Sequence, residues 1–253
     1  MLRAYGEGNI FGEAHGVGPV QVVWLHGWRR SSGDFALAGE LLARQGIASV
    51  ALDLPGFGAT PLPDGPGGAE LYAQLIAPAL TDISPAPLIL VGHSFGGRVA
   101  TVIAAKNPER VKGLLLTGVP LVRRTSSHRA PLKYRLIRSA HRRGLVSDAA
   151  MERARHHYGS SDYRHASGVL RDILVVSVNE SYEAELARVS APVTMVWGDS
   201  DHDVPLDVAR SAQAMLVASS NVRLVVLDDT GHLVPTQRPE ALVVQVQRLI
   251  EES

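Results

Sequence analysis

Short apolar runs recur along the chain, each closed by glycine or another turn signal, at 20–25, 47–52, 87–91, 113–118, 193–197 and 222–227. They are rich in β-branched residues and nearly free of polar ones, which is the pattern of strands covered on both faces. Between them lie stretches with helical apolar spacing, at 36–45, 69–80, 97–107, 207–218 and 240–252. In the last, Leu242, Val246, Leu249 and Ile250 share one stripe behind Pro239, a residue suited to the first turn of a helix. Such alternation over a whole chain predicts a mostly parallel, doubly wound α/β sheet. Residues 2–5 and 9–14 read as a hairpin added to one edge, and 61–68 as a loop.

The alternation stops between about 120 and 190. Apolar residues there follow helical spacing (Leu132, Leu136, Ile137), and the run 169–178 carries Leu170, Ile173, Leu174 and Val175. A structureless loop of that length is uncommon in a compact domain. The expected organisation is one core domain, 1–119 with 191–253, and a helical insertion at 120–190 packed over one end of the sheet.

Charge marks the same segment. The 253-residue chain has 25 basic and 25 acidic residues, so its formal net charge is zero. Yet 121–165 holds eleven Arg or Lys against Asp148, Glu152 and Asp162, a local excess of +8, with five of the ten histidines. A chain neutral overall is not built as a general nucleic-acid binder. With no cysteine there is no disulfide scaffold, Cys–zinc site or cysteine nucleophile. No apolar stretch reaches the roughly 18–20 residues of a membrane span, and no secretory h-region is visible, so a cytoplasmic protein is expected. Only Lys106, Lys112 and Lys133 are lysines, a bias expected of a GC-rich bacterial source.

The candidate chemistry centres on Gly92-His93-Ser94-Phe95-Gly96. A predicted strand runs into it and a predicted helix leaves it, the context in which G-x-S-x-G lifts a serine onto a sharp turn. Glycines two residues either side keep side chains out of the neighbouring strand and helix. A serine hydroxyl needs an imidazole to take its proton and a carboxylate to orient that imidazole. His232 follows the strand 222–227 and falls at the same sheet edge as Ser94. His93 adjoins Ser94, but neighbouring side chains on such a turn diverge, which makes it a poor base. Asp199, Asp201 and Asp203 all follow the strand 193–197 and are candidates for the carboxylate; spacing within Asp201-His202-Asp203 does not suit a metal site. Backbone donors for a developing oxyanion are expected at Phe95, directly after Ser94, and at Trp28 in His26-Gly27-Trp28. Asp53-Leu-Pro-Gly-Phe-Gly58 has neither dinucleotide nor P-loop spacing and reads as a structural loop.

Taken together, His26-Gly27-Trp28, Asp53-Leu-Pro-Gly-Phe-Gly58, Gly92-His-Ser-Phe-Gly-Gly97, Asn107-Pro-Glu-Arg-Val111, Trp197-Gly-x-x-Asp201-x-x-Val-Pro205 and Gly231-His232 resemble the α/β-hydrolase fold family over nearly the whole chain. The resemblance implies an eight-stranded, mostly parallel sheet flanked by helices, with a helical cap after the sixth strand. It places the acid on Asp201, the base on His232 and the oxyanion donors on Trp28 and Phe95. The implied activity is a serine carboxylesterase acting through a Ser94 acyl-enzyme, without cofactor or metal. Alternatives on the same fold are a carbon–carbon bond hydrolase, a thioesterase or a non-catalytic ligand-binding protein. Serine at position 94 speaks against dehalogenases and epoxide hydrolases, which use aspartate there. The Arg-rich insertion, with the first two motifs, is similar to pimeloyl-carrier methyl ester esterases. That implies a small-molecule ester as substrate, or an anionic or carrier-bound acyl group at the basic cap, with neither nucleic acid nor membrane as partner.

Overall fold

The N-terminal hairpin and the six apolar runs become the strands of one sheet: β1 (Leu2–Tyr5), β2 (Ile10–His15), β3 (Val20–Leu25), β4 (Ala48–Leu52), β5 (Leu88–His93), β6 (Val111–Thr117), β7 (Val193–Gly198) and β8 (Val222–Leu227). The computed structural model describes residues 1–122, 132–158 and 161–252. The strand order is β1-β2-β4-β3-β5-β6-β7-β8. The β1–β2 hairpin joins β4 antiparallel, and every pair from β4 to β8 is parallel. Because these pairs are parallel, the carboxyl ends of β3, β5, β6, β7 and β8 share one rim.

Alternate strand residues serve opposite faces. Val23, Leu25, Leu88, Leu90, Leu114, Leu116, Met195 and Trp197 face α2 (Ala69–Ile83), α3 (Phe95–Lys106) and α9 (Leu206–Met215). Trp24, Ile89, Val91, Leu115 and Val196 face α1 (Ala36–Arg44), the short α10 (Val234–Gln237) and α11 (Pro239–Glu251). α11 supplies Leu242, Val246 and Leu249, the stripe read from the sequence.

α2 and β8 depart from the sequence expectation for physical reasons. α2 runs through Pro78 to Ile83 rather than stopping near Leu80. The proline removes one amide donor, but Ala79 and Leu80 are buried against the core, and packing carries the helix on. β8 reads as a strand covered on both faces, yet it is the outermost strand and half-exposed along its length.

Between β6 and β7 lie α4 (Leu132–Arg142), α5 (Asp148–Tyr158), α6 (Ser161–His165), α7 (Gly168–Ser177) and α8 (Glu183–Leu186). The apolar run at 169–178 forms α7, whose Ile173 joins the main core. A staple fixes the chain after α7. The Arg98 guanidinium donates to Ser177 O at 2.6 Å and lies 5.8 Å from the Tyr182 ring centroid. The Tyr182 hydroxyl donates to Glu180 Oε2 at 2.6 Å, and the same carboxylate accepts the Ala69 amide at the start of α2 at 3.1 Å. Among the described residues no helix is long and apolar enough to cross a membrane.

Candidate active site

β5 is buried throughout and leads into Ser94, which stands at φ 50°, ψ −113° before α3 begins. The two flanking glycines are required by contact: a methyl group at Gly92 would enter the Gly97 backbone, and one at Gly96 would enter Leu25 O. The turn is tied to both neighbouring strands. The Ser94 amide donates to Thr117 O, and the Gly96 amide donates to His26 O, both at 3.0 Å.

Ser94 and His232 line one cleft of about 410 Å³, together with Gly27, Trp28, His93, Val204 and Leu233. Asp201, on the loop after β7, is 3% exposed. Its Oδ1 accepts the Asp203 and Val204 amides at 3.0 and 2.8 Å, and its Oδ2 lies 2.9 Å from His232 Nδ1. A carboxylate only accepts, so Nδ1 carries the proton and Nε2 of a neutral ring keeps its lone pair. Asp199 turns elsewhere, accepting the Ser200 hydroxyl at 2.9 Å. Asp203 is exposed and meets Asp201 through its amide alone. Of the three carboxylates, Asp201 is therefore the one that reaches the imidazole. Donor atoms of Asp201, Asp203 and His232 fall within 4.8 Å of one another, but both Asp201 oxygens are already engaged by N–H donors.

The loop after β3 is held by a buried imidazole of fixed tautomer. His26 Nδ1–H donates to Gly27 O at 2.7 Å, and its Nε2 accepts the Leu54 amide at 2.9 Å. Burial pushes the pKa of His26 down, which keeps that acceptor available. Asp53 braces the same region from the other side, accepting the Ser32 amide at 2.7 Å and the Ala59 amide at 2.8 Å. The loop that reads as structural is structural. Neither the Trp28 nor the Phe95 amide has an acceptor among the described residues. The Trp28 ring stands edge-on to Phe57 and Phe95, with centroids 5.0 and 5.4 Å apart.

A strained serine thus shares a cleft with a histidine bonded to a buried aspartate, on the carboxyl rim of an eight-stranded sheet. A model of the alpha/beta hydrolase family matches residues 22–246. The chain belongs to that family. Over 109 residues it is 41% identical to a pimeloyl-[acyl-carrier protein] methyl ester esterase of Chromobacterium violaceum, covering 43% of this chain and 40% of that protein. The match thus spans less than half of that relative's length. Over 248 residues it is 24% identical to the 2-hydroxy-6-oxononadienedioate/2-hydroxy-6-oxononatrienedioate hydrolase of Cupriavidus pinatubonensis, covering 86% of this chain and 82% of that one. A serine hydrolase involved in carbazole degradation superposes with a TM-score of 0.73 at 18% identity, over 100% of this chain and 99% of the other. At that identity the likeness speaks for the fold alone.

In this α/β hydrolase the cleft mouth is charged. Arg30 forms a two-pronged pair with Asp34, at 2.7 and 2.6 Å, and lines the cleft. Arg29, at φ 57°, reaches to 3.8 Å from Asp162 of α6, which also lines the cleft. Sequence reasoning missed two further residues. Gly118, at φ 59°, leaves the space into which the His232 ring fits: a methyl group there would come within 2.9 Å of the ring. A strand-ending glycine next to the break at Pro120 was its only signal. His93 is set aside as a base from the sequence, and the structure places it instead beneath His232, donating from Nε2 to His232 O at 3.0 Å.

Proposed function

We propose that this hydrolase cleaves carboxylic esters through an acyl-enzyme on Ser94. His232 Nε2 takes the Ser94 proton as the oxygen attacks the ester carbonyl. The tetrahedral oxyanion rests on the Trp28 and Phe95 amides. Collapse breaks the C–O bond to the leaving alcohol, which receives the proton from His232. Water then gives a proton to His232 and its oxygen to the acyl carbon, releasing the acid and restoring Ser94. Asp201 holds the imidazole tautomer and stabilises the imidazolium.

One observation carries this reading: the 2.9 Å bond from His232 Nδ1 to buried Asp201, in the cleft that holds Ser94 on its left-handed turn. The test is turnover of a short-chain p-nitrophenyl ester. Ser94→Ala should lower kcat by about 10⁴-fold or more, and a fluorophosphonate probe should label the wild type but not the variant. Unchanged turnover in Ser94→Ala would overturn the assignment. Failure of the probe to label the wild type would favour a binding protein on the same fold.

Residues 120–190 act, in this reading, as a cap over a core formed by 1–119 and 191–253. Exposed Lys133, Arg135, Arg138 and Arg142 on α4 would favour an anionic or carrier-bound acyl substrate. The esterase relative, whose name specifies a carrier-bound methyl ester, supports that preference. The Cupriavidus relative favours a second reading, cleavage of a carbon–carbon bond next to a ketone by the same groups. Comparing kcat/KM for simple esters, thioesters and vinylogous diketo acids would rank these substrates.

A further inference from the structure

We propose that His93 is a positioning residue that fixes the distance between base and nucleophile by holding the main chain of His232. The proposal rests on the reading of Ser94 and His232 given above.

His93 ends β5, one residue before Ser94, and is 1% exposed. Its Nε2 lies 3.0 Å from His232 O, across 139 residues of chain. A carbonyl oxygen only accepts, so Nε2 carries the proton. Nδ1 is then a bare lone pair, buried and without a donor among the described residues. It faces Gly27, where a methyl group would come within 2.8 Å of it, so the ring keeps its place because position 27 has no side chain. The rings of His93 and His232 lie 4.9 Å apart at 51°.

His232 therefore has two anchors. Asp201 sets the rotation of its ring, and His93 sets the position of its backbone relative to the strand that presents Ser94. The donor must also be uncharged, because an imidazolium forms at His232 during each turnover. Burial first, and the charge of His232 second, depress the His93 pKa to about 3, so the ring stays neutral at working pH. A lysine or arginine here would donate equally well but repel the imidazolium. Neutral histidine gives a long-reaching N–H without charge.

The test compares His93→Gln, which places an amide N–H near the original Nε2, with His93→Phe and His93→Leu, which supply no donor. Thermal melting identifies which variants fold. The expected result is kcat within about threefold of wild type for His93→Gln, and a loss of at least tenfold for His93→Phe or His93→Leu, with KM unchanged. Equal kcat for the donor and donor-less variants, whether both intact or both impaired, would overturn the proposal. A second readout does not need turnover: the downfield proton signal of His232 Nδ1–H bonded to Asp201. It should persist in His93→Gln and broaden or shift in the donor-less variants. Its persistence in all of them would overturn the proposal too. If Ser94→Ala retained full activity, the ester reading would fail separately, and the proton signal would still decide on His93. If neither donor-less variant folds, an unaltered signal and kcat in His93→Asn, whose amide is too short to reach His232 O, would overturn the proposal.

Discussion

At Ser94 the chain holds a non-glycine residue at φ 50°, ψ −113°, a conformation costing of order 1–3 kcal/mol. Removing the side chain entirely should release part of it. Ser94→Gly is expected to abolish the proposed ester hydrolysis and yet raise the melting temperature by about 2–4 °C, corresponding to ~1 kcal/mol. Calorimetry that finds Ser94→Gly less stable than Ser94→Ala would show that the turn is not strained. His93 supplies a pH-dependent counterpart. Burial, then the charges of His232, Arg30 and His26, lower its folded pKa to about 3, well below the ~6.5 of an unfolded histidine. Between those values the unfolded chain binds the proton and the folded chain does not. Stability is therefore complete above the unfolded value and is lost as pH falls through the window, by up to ~1.4 kcal/mol per unit. Melting curves from pH 7 to pH 4 should decline, and more shallowly in His93→Gln; parallel declines would count against a neutral buried His93. His26, also depressed by burial, contributes in the same direction. Of these residues, Ser94 announces itself in the sequence through its two glycines. The bond from His93 to His232 does not, because it depends on how close two segments 139 residues apart finally come.

Among the elements, the helices between β6 and β7 meet the core through Ile173 and Leu186, and the staple after α7 adds polar attachments. Glu180 accepts both the first amide of α2 and the Tyr182 hydroxyl, and its carboxylate fills the space where a side chain at Gly68 would lie. Glu180→Ala would leave a helix-start amide and a buried hydroxyl without acceptors. The expected cost is about 1–3 kcal/mol, seen as a melting temperature lower by several degrees, with kcat/KM for bulky esters changed more than for acetate. An unchanged melting curve would mean that water replaces the carboxylate. The central strands were legible as elements because burial on both faces leaves an unbroken apolar run. β8 has the same composition but only one neighbour in the sheet, and a strand's own residues do not say whether another lies beside it. The same limit applied to α2, where core contacts beyond Pro78 outweighed the proline.

For the whole molecule, zero net charge conceals a separation: 121–165 carries +8, and the remainder carries the balancing negative charge. Arg123, Arg124 and Arg129 of that segment lie outside the described residues, whereas Lys133, Arg135, Arg138 and Arg142 stand exposed on α4. Exposed charge acts over roughly 8–10 Å at physiological ionic strength, so it steers approach more than it tightens binding. For an anionic ester, kcat/KM should fall several-fold between 20 and 300 mM salt, while a neutral ester of the same acyl length should be indifferent. Equal salt responses would mean that the basic face is solvated surface with no part in substrate choice. The sequence made the charge separation visible, but not which of its arginines the fold would spend on partners. Arg155 pairs with Glu152 at 3.5 Å, and the same carboxylate takes Arg171, from beyond the segment, at 2.8 Å.

Asp201 has one oxygen fastened by two amides of its own loop, at 3.0 and 2.8 Å, quite apart from the imidazole it meets through the other. That half of the constellation is self-supporting. The carboxylate keeps its aim whether or not a ring is present at position 232, so the vacancy left by His232→Gly would be a slot already shaped and polarised for a free imidazole from solution.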